Sequence, residues 1–396
     1  MNGRNTAGRM RVIVCGTKFG QVYLQAFRQS ALPFELAGIL AQGSERSRAC
    51  AQHYGVPLWA SPDELPAGID IACVVVRGGL LGGPGAELAK ELMGRGINVI
   101  QEHPLHHDEL ADCLRCARRH GVVYHLSSFY PNVAPVRSFI AAARELFRCR
   151  RPLYADAACG FQLAYALLDI LGRALGGVRP WSFTRPPGPD DSVLRLTDLD
   201  IPFRGLDGVV AGVPVTLRIQ NQMDPADPDN YAHLMHRITL GTEGGNLTLA
   251  ATHGPLLWCP RPDFPREAQR SDARPHFAPT TADRPASGVE AADPSSGLVL
   301  GESAAPGYQQ IFQTMWPAAI GRALLQMREA ILAGDCQLHR GQYHLTVCQL
   351  WQDITALLGP PELLRAPPPR LLSGAELAAV AGAASSADSQ ERGSHD

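Results

Sequence analysis

The sequence has 396 residues, 36 of them basic and 38 acidic, and its formal net charge is −2 at pH 7. A near-neutral balance gives no electrostatic signature for a nucleic acid or an anionic membrane. No apolar run reaches the roughly 20 residues that a membrane helix needs, and the polar residues 1–10 lack the apolar stretch of a secretory signal. Ten cysteines without disulfide-like spacing favour a reducing compartment. We therefore expect a cytoplasmic protein with two hydrophobic cores.

The scarcity of lysine excludes several kinds of site. Only Lys18 and Lys90 occur, and neither follows a glycine as the GxxxxGK phosphate loop requires. Neither has a tyrosine four residues before it, so the Tyr-x-x-x-Lys pair of short-chain dehydrogenases is absent. If the protein is an enzyme, we expect its proton chemistry to use other side chains.

Short apolar runs alternate with helical periodicity over residues 1–130. Apolar runs of four to eight residues between helices are typical of a parallel, doubly wound sheet. We therefore predict an α/β domain here. The pattern predicts strands at 11–15, 36–41, 56–59, 69–76, 97–101 and 122–126, and helices at 21–30, 45–54, 85–94 and 107–120.

A glycine turn follows the first predicted strand. Its residues are Gly16, Thr17, Lys18, Phe19 and Gly20. Between a first strand and a first helix, glycines let the backbone approach a pyrophosphate closely, and backbone N–H groups can face it. The spacing falls short of a full GxGxxG, so a tight turn without a ligand stays open as the alternative. We predict that these five residues bind a dinucleotide.

The end of the second predicted strand indicates which dinucleotide. NAD enzymes usually place a carboxylate there for the ribose 2′-hydroxyl, whereas this chain continues AQGSERSR at 41–48. Ser44, Arg46 and Ser47 instead offer hydroxyls and a guanidinium suited to a 2′-phosphate. The alternative is that Ser44 only caps a helix and the arginines are solvated. The pattern favours NADP over NAD.

Two candidate proton donors follow the fifth and sixth predicted strands. His103 lies in Glu102-His103-Pro104, and Tyr130 lies in SSFYPN at 127–132. Ligands bind at the carboxyl edge of open α/β sheets, and an imidazole and a phenol can both donate protons near neutral pH. Each side chain also has a purely structural interpretation, because a histidine beside proline or a buried tyrosine commonly serves packing.

Two further patterns superficially indicate a metal. His106 and His107 stand beside Asp108, and Cys113 is followed three residues later by Cys116. The two histidines would point in different directions at a helix start, and the cysteines have no second pair. We expect no metal site.

The quoted motifs resemble a known family. The strand, the glycine turn and Glu-His-Pro resemble the Gfo/Idh/MocA oxidoreductases, which usually carry Glu-Lys-Pro. With RVIVCGTKFGQVYL, GILAQGSERSR, DIACVVVR, NVIQEHPLH and SSFYPN, the chain resembles the thiazolinyl imine reductases of siderophore assembly, over about residues 10–358.

This resemblance implies NADPH-dependent reduction of a thiazoline C=N to a thiazolidine. It implies His103 and Tyr130 as catalytic proton donors, and Arg77, Glu102 and Pro104 near the cofactor. Glu102 either orients His103 or contacts the ribose. It also implies a substrate tethered by phosphopantetheine to a carrier domain of a nonribosomal peptide synthetase, and a homodimer.

The second half indicates a different architecture. Predicted strands at 213–222, 236–242 and 246–251, with helices at 163–175, 308–332 and 339–358, favour an α+β domain with an antiparallel or mixed sheet over 131–358. Within it, 260–307 is predicted to be a surface insertion, and 359–396 a flexible tail. Asp169 lies inside an otherwise apolar helix, and two interpretations are open: it interacts with a helix cap or an arginine, or it contacts substrate. The domain over 1–130 is then an NADP-binding Rossmann domain.

Two alternative functions remain at this point. An oxidoreductase of the wider family could act on a sugar or another cyclic carbonyl, although His103 in place of lysine disfavours it. A non-catalytic NADP-binding regulator of the synthetase is the other.

Overall fold

The computed structural model describes residues 8–29, 31–78, 83–198, 200–227, 233–261, 295–336, 338–365 and 373–382. Two sheets organise these residues. The first lies in the N-terminal third of the chain, and the second begins after residue 150.

The first sheet is a parallel, six-stranded sheet with the order β3-β2-β1-β4-β5-β6. The chain therefore reverses direction across the sheet between β1 and β4, which is the switch point where dinucleotides bind in doubly wound folds. The predicted doubly wound domain is confirmed. Its strands are β1 Met10–Cys15, β2 Phe34–Leu40, β3 Leu58–Trp59, β4 Ile71–Val74, β5 Asn98–Glu102 and β6 Tyr124–Ser127.

Helices cover this sheet, and three of the four have the predicted bounds. They are α1 Gly20–Ala26, α2 Glu45–Tyr54, α3 Gly85–Gly94 and α4 His107–His120. Helix α2 begins at the Ser44 cap and ends at Gly55, whose φ is 65°. His106 caps the start of helix α4: its imidazole accepts from the Asp108 N–H while Glu109 accepts from the His106 N–H. That capping box uses the His106 ring as a helix cap.

The second sheet has eight strands in the order β15-β14-β13-β12-β7-β10-β9-β8. Strands β7 and β10 pair in parallel and the other pairs are antiparallel, so the sheet is mixed, as predicted. Its strands are β7 Tyr154–Gly160, β8 Trp181–Thr184, β9 Phe203–Val210, β10 Val213–Gln220, β12 His236–Thr242, β13 Gly245–Leu249, β14 Leu256–Pro260 and β15 Leu298–Leu300.

Helices of the second half join the two sheets. The apolar helix α6, Ala164–Leu175, is buried along nearly its whole length. The helices α5, Ala134–Cys149, and α10, Leu338–Leu358, cover it together with β7. A π-helical turn, Ile311–Met315, precedes α9. The helices are α5 Ala134–Cys149, α6 Ala164–Leu175, α7 Asp191–Leu194, α8 Tyr308–Gln310, α9 Trp316–Ala333 and α10 Leu338–Leu358.

The structure places short strands at the beginning of the predicted tail and near the end of the predicted insertion. Strand β16, Glu362–Leu363, pairs in parallel with β11, Gln222–Met223, and the Asn221 side-chain amide donates to the carbonyls of 358–360. Backbone hydrogen bonds at Glu362 and Leu364, and the Asn221 side chain, therefore connect the beginning of the predicted tail to the second domain. At the insertion, β15 continues the second sheet at 298–300. Residues 262–294 lie outside the described residues.

None of the helices in the described part of the chain combines the length and the apolar character needed to cross a lipid bilayer.

Two buried histidines link pH to stability. Burial lowers the pKa of His236 to about 3, and it lowers the pKa of His344 to about 3 as well. Between about pH 6.5, the ordinary histidine pKa, and pH 3, the unfolded chain binds protons that the folded chain does not. The free energy of unfolding therefore falls as the pH falls through this window, and recovers as it rises.

We expect His344→Gln to reduce that slope by up to about 1.4 kcal/mol per pH unit, the contribution of one proton. Urea unfolding at several pH values between 4 and 7 measures the slope. His339→Gln, an exposed position on the same helix α10, should keep the wild-type slope. A His344→Gln slope equal to that of the wild type would contradict the assignment of His344 as a buried neutral group.

Candidate active site

The chain turns sharply where β1 ends. Gly16 has a φ of +91°, and a Cβ atom at this position would lie 2.7 Å from the carbonyl oxygen of Val75. Only glycine therefore allows the backbone to pass this close to the end of β4. The turn leads directly into α1 at Gly20, whose N-cap residue, Phe19, makes no side-chain capping bond. Backbone N–H groups at this turn are thus left to other partners.

The remaining predicted cofactor residues lie along the same edge. Thr17 is buried, Lys18 is exposed and Phe19 is half-buried. Arg77 lies three residues beyond β4 with an exposed side chain, and its carbonyl accepts from the N–H of Gly85 at 2.8 Å. The carboxyl ends of β1 and β4 therefore carry these side chains together, as expected for parallel strands.

The residues predicted for a 2′-phosphate form the start of α2. The Ser44 hydroxyl accepts from the Ser47 N–H at 3.3 Å, and the buried Ser47 hydroxyl donates to the Ser44 carbonyl at 2.8 Å. Ser47 thus shapes the helix start from inside. Arg46 and Arg48 are exposed, and a Cβ atom on Gly43 would lie 3.8 Å from an Arg48 terminal nitrogen. The Arg48 guanidinium therefore lies over the loop that joins β2 to α2.

Glu102, the last residue of β5, connects three elements through its carboxylate. One oxygen accepts from the Tyr23 hydroxyl of α1, and the other lies 3.0 Å from Nδ1 of His103. Burial, and then the charge of Glu102, raise the pKa of Tyr23 well above its usual value, so its hydroxyl stays protonated as a donor. Of the two roles predicted for Glu102, this contact matches the orientation of His103.

The surroundings of His103 select one tautomer of its ring. Nδ1 lies 3.0 Å from a Glu102 carboxylate oxygen and 3.1 Å from the Ser127 carbonyl oxygen, and both partners can only accept. Nδ1 therefore carries a hydrogen, which leaves Nε2 as the atom that can gain or release a proton. The His103 side chain is 6% exposed, and Pro104 follows it through a cis peptide bond.

Tyr130 follows a backbone γ-turn after β6. Phe129 has φ 58° and ψ −56°, and the Tyr130 N–H donates to the Ser128 carbonyl at 2.5 Å. A positive φ is unfavourable for a bulky residue and is found where the surroundings hold it in place. The turn brings the Tyr130 ring centroid within 6.4 Å of the His103 centroid, with the rings nearly perpendicular.

A buried carboxylate anchors this turn. Asp169 on α6 accepts from the Ser128 hydroxyl through one oxygen, and from the Arg173 side chain at 2.7 Å through the other. Burial alone raises the pKa of Asp169, but the charge of Arg173 and these hydrogen bonds outweigh it and hold the pKa well below the usual range. Asp169 thus has the arginine partner considered for it, and it contacts the γ-turn rather than a free surface.

Aromatic and histidine rings complete the walls. The Tyr165 ring lies 5.2 Å from His103 and its hydroxyl lies 2.9 Å from Nδ1 of His344. His236 lies 4.9 Å from the Tyr130 ring, with its Nδ1 3.0 Å from the Thr252 hydroxyl. Because burial keeps His236 and His344 neutral, the second domain adds polar rings without adding charge.

The structure thus brings His103, Tyr130 and Glu102 together, whereas Ser44 and Arg46 lie further along the edge at α2. The sequence gives little signal for Tyr23, Tyr165 and His236, because each reaches its partner in the site only when the chain folds. Tyr165 is the exception, because a tyrosine and an aspartate, Tyr165 and Asp169, stand out inside the otherwise apolar helix α6. Among the described residues, no group of three or more His, Cys, Asp or Glu side chains could hold a metal ion.

Two protein-family models match the chain. Residues 10–128 match the Gfo/Idh/MocA oxidoreductase family, NAD-binding Rossmann fold. Residues 150–259 match the C-terminal domain of Irp3-like thiazolinyl imine reductases. The first domain of the chain belongs to the Gfo/Idh/MocA oxidoreductase family. The predicted resemblance, including the thiazolinyl imine reductase type of the second domain, is confirmed by these two matches. No curated protein matches this oxidoreductase by sequence.

Solved structures share the fold of this oxidoreductase at low sequence identity. UDP-N-acetylglucosamine 3-dehydrogenase from Acidithiobacillus ferrooxidans is 14% identical, covering 89% of this chain and 99% of its own, with a TM-score of 0.56. A 3-ketoreductase from Actinomadura kijaniata in complex with NADP is 13% identical, covering 91% and 100%, with a TM-score of 0.58. Biliverdin reductase from Synechocystis sp. PCC 6803 is 13% identical, covering 87% and 98%, with a TM-score of 0.54.

We expect Asp169→Asn to lower the free energy of unfolding by about 3 kcal/mol, because it leaves Arg173 without its buried partner. The loosened γ-turn should also lower kcat more than it weakens cofactor binding. Urea unfolding and steady-state kinetics measure the two effects. Glu145→Gln, which breaks an exposed pair with Arg148, should change stability by less than about 1 kcal/mol. Equal losses in the two variants would contradict the anchoring role.

Proposed function

We propose that the protein uses NADPH to reduce the C=N bond of a thiazoline to a thiazolidine, on a siderophore intermediate tethered to a carrier domain of a nonribosomal peptide synthetase. The observation that carries this proposal is the match of residues 150–259 to the thiazolinyl imine reductase C-terminal domain. It coincides with a histidine, oriented by Glu102, at the position where the wider family usually carries lysine.

The residues present support NADPH as the cofactor. The Gly16 turn and the N-terminal end of α1 would hold the pyrophosphate. Arg46, and Arg48 lying over the Gly43 loop, would hold the 2′-phosphate, and no carboxylate ends β2 to compete for that place. When bound, NADPH supplies the hydride that reaches the imine carbon.

The protein's own residues supply the proton. Addition of hydride to the carbon of a C=N bond leaves the nitrogen needing one proton, and a positioned acid accelerates that step. His103 holds Nδ1–H against two acceptors, so Nε2 would carry the transferable proton. The Tyr130 hydroxyl is the second donor, on a ring that contacts the His103 ring at a right angle. Glu102 would hold the ring in the orientation that points Nε2 away from Nδ1 and its two acceptors.

Neutral surroundings suit this substrate class. The walls offer aromatic rings and uncharged histidines, which pack against a flat heterocycle, whereas a sugar would require several hydrogen-bonding groups around its hydroxyls. We also propose a homodimer, as in the family that the sequence resembles.

A direct test follows NADPH absorbance at 340 nm after addition of a synthetic thiazoline thioester mimic, free or attached to a carrier domain. Oxidation that prefers NADPH over NADH is the expected result. Turnover with a polyol or sugar instead would favour the oxidoreductase alternative. Tight NADPH binding without turnover of either thiazoline form would favour the non-catalytic regulator.

We expect His103→Asn and Tyr130→Phe each to lower kcat about tenfold, because the remaining donor can still protonate the nitrogen. The double variant should approach the rate without an acid, at least about 100-fold below the wild type. NADPH affinity, measured by fluorescence titration, should change little in all three.

Matched control variants are His107→Asn, at the half-buried start of α4, and Tyr154→Phe, at an exposed position on β7. Both should retain the wild-type kcat. If the double variant is no slower than the slower single variant, two interchangeable donors are excluded.

We expect Arg46→Ala and Arg48→Ala each to weaken NADPH binding about tenfold or more, while NADH binding changes little, because only NADPH carries the 2′-phosphate. Isothermal titration with both cofactors gives the ratio. Arg115→Ala, an exposed arginine on α4, is the matched control. Equal losses for NADPH and NADH would exclude a 2′-phosphate contact.

A further inference from the structure

A fully buried tyrosine on α1 lies one side chain away from the proposed acid. Tyr23 is 0% exposed, and its hydroxyl donates to one carboxylate oxygen of Glu102. The other carboxylate oxygen lies 3.0 Å from Nδ1 of His103. The Glu102 carboxylate therefore lies between the two side chains and offers one oxygen to each of them.

Packing alone does not account for a tyrosine at this position. The Tyr23 ring contacts the Phe19 ring edge to face, with centroids 6.4 Å apart, and a phenylalanine ring would keep this contact. A buried hydroxyl costs free energy unless it is hydrogen-bonded, and a bond to a carboxylate is of the stronger, charge-assisted kind. The bond to Glu102 is therefore what distinguishes a tyrosine from a phenylalanine here.

The Glu102 carboxylate needs this donor to keep its orientation. Glu102 ends β5 at the edge of the first sheet, and its side chain is 13% exposed. A carboxylate oxygen without a partner inside the protein is drawn toward water, because leaving it unpaired in the interior is costly. By binding the second oxygen, Tyr23 keeps the first oxygen against Nδ1 of His103.

The other partner of Nδ1 is a weaker substitute for Glu102. It is the Ser127 carbonyl oxygen, 3.1 Å away, which also accepts the backbone N–H of His103 at 3.0 Å. A bond to this neutral acceptor is weaker than a bond to an ionised carboxylate. The orientation of the His103 ring therefore depends mainly on Glu102.

The geometry points to Tyr23 as a positioning residue for the reaction: its hydroxyl holds the Glu102 carboxylate against Nδ1 of His103, and so fixes the direction of Nε2. This inference rests on the proposed function, because it takes His103 as a proton donor. Proton transfer requires the donor within hydrogen-bond reach of the acceptor, and a small misplacement slows the step. Because Tyr23 is fully buried, it acts through Glu102 rather than on the substrate itself.

The test compares Tyr23→Phe with a matched control, Tyr124→Phe. Tyr124, on β6, is also buried, and its hydroxyl donates to the side-chain oxygen of Gln101 at 2.8 Å. Gln101 directly precedes Glu102 on β5. The control thus removes one buried hydroxyl that is bonded to the same strand, without touching the carboxylate. Circular dichroism checks that both variants are folded.

Steady-state kinetics with NADPH and the thiazoline thioester mimic measure the effect on the reaction. Tyr23→Phe should lower kcat about fivefold, because the second donor still operates, and it should leave the Kd of NADPH unchanged. Tyr124→Phe should keep the wild-type kcat. A wild-type kcat in Tyr23→Phe, or an equal loss in both variants, would overturn the role of Tyr23.

A double-mutant cycle tests whether Tyr23 acts through Glu102. Adding Tyr23→Phe to Glu102→Gln should lower kcat no further, because both changes interrupt the same path. Losses that multiply in the double variant would show two independent effects and would overturn the inference.

Nuclear magnetic resonance of protein labelled with ¹⁵N-histidine gives a signature that a loss of stability does not produce. The Nδ1–H resonance of His103, assigned by its absence in His103→Asn, should lie downfield in the wild type because this hydrogen faces a carboxylate. It should move upfield in Tyr23→Phe and in Glu102→Gln, and stay in place in Tyr124→Phe. An unmoved resonance in Tyr23→Phe would contradict the positioning of His103 by Tyr23.

The resonance requires no substrate, so it separates this inference from the proposed function. If the wild type oxidises NADPH with no thiazoline, the proposed reduction is overturned, and the Nδ1–H resonance still decides whether Tyr23 orients His103. If thiazoline reduction occurs and is unchanged in Tyr23→Phe, the reduction is supported and the positioning role is overturned.

Discussion

The carboxylate of Glu102 is the contact on which the arrangement of the site depends. It accepts from Tyr23 of α1 and from His103, the residue after β5, so it links the helix after the glycine turn to the proposed acid. A buried charge is stable only when such partners surround it. The same two bonds keep Tyr23 protonated and set the tautomer of His103. The Glu102 side chain therefore links the position of the glycine turn to the orientation and tautomer of the His103 ring.

A second buried carboxylate does the same for the other proposed donor. Asp169 connects α6 to the turn that carries Tyr130, with Arg173 balancing its charge. The γ-turn at Phe129 is unfavourable in isolation, and it persists because Asp169 bonds it from one side while Phe19 and Trp316 pack on the Phe129 ring. Each donor is thus oriented by a carboxylate, and both carboxylates lie away from bulk solvent.

The two domains contribute different chemistry to one site. The first supplies backbone groups and the charged groups at its sheet edge, which suit a phosphorylated cofactor. The second supplies Tyr165, Trp316 and neutral histidines, which suit a flat, uncharged ring. Its buried histidines add polarity at the expense of stability in acid, because they resist protonation in the folded state.

The sequence by itself determined the parallel sheet, the bounds of three helices, the mixed second sheet and the family of the first domain. These features depend on local periodicity and on contiguous motifs, and both are patterns of neighbouring residues. It also predicted that His103 and Tyr130 lie at the same sheet edge, because parallel strands end at one edge. Only the tertiary structure decided the tautomer of His103, the partners of Asp169, the pairing of Glu362–Leu363 with β11 and the packing of Trp316 on Phe129. These depend on residues far apart in the chain, and no local pattern encodes which of them meet.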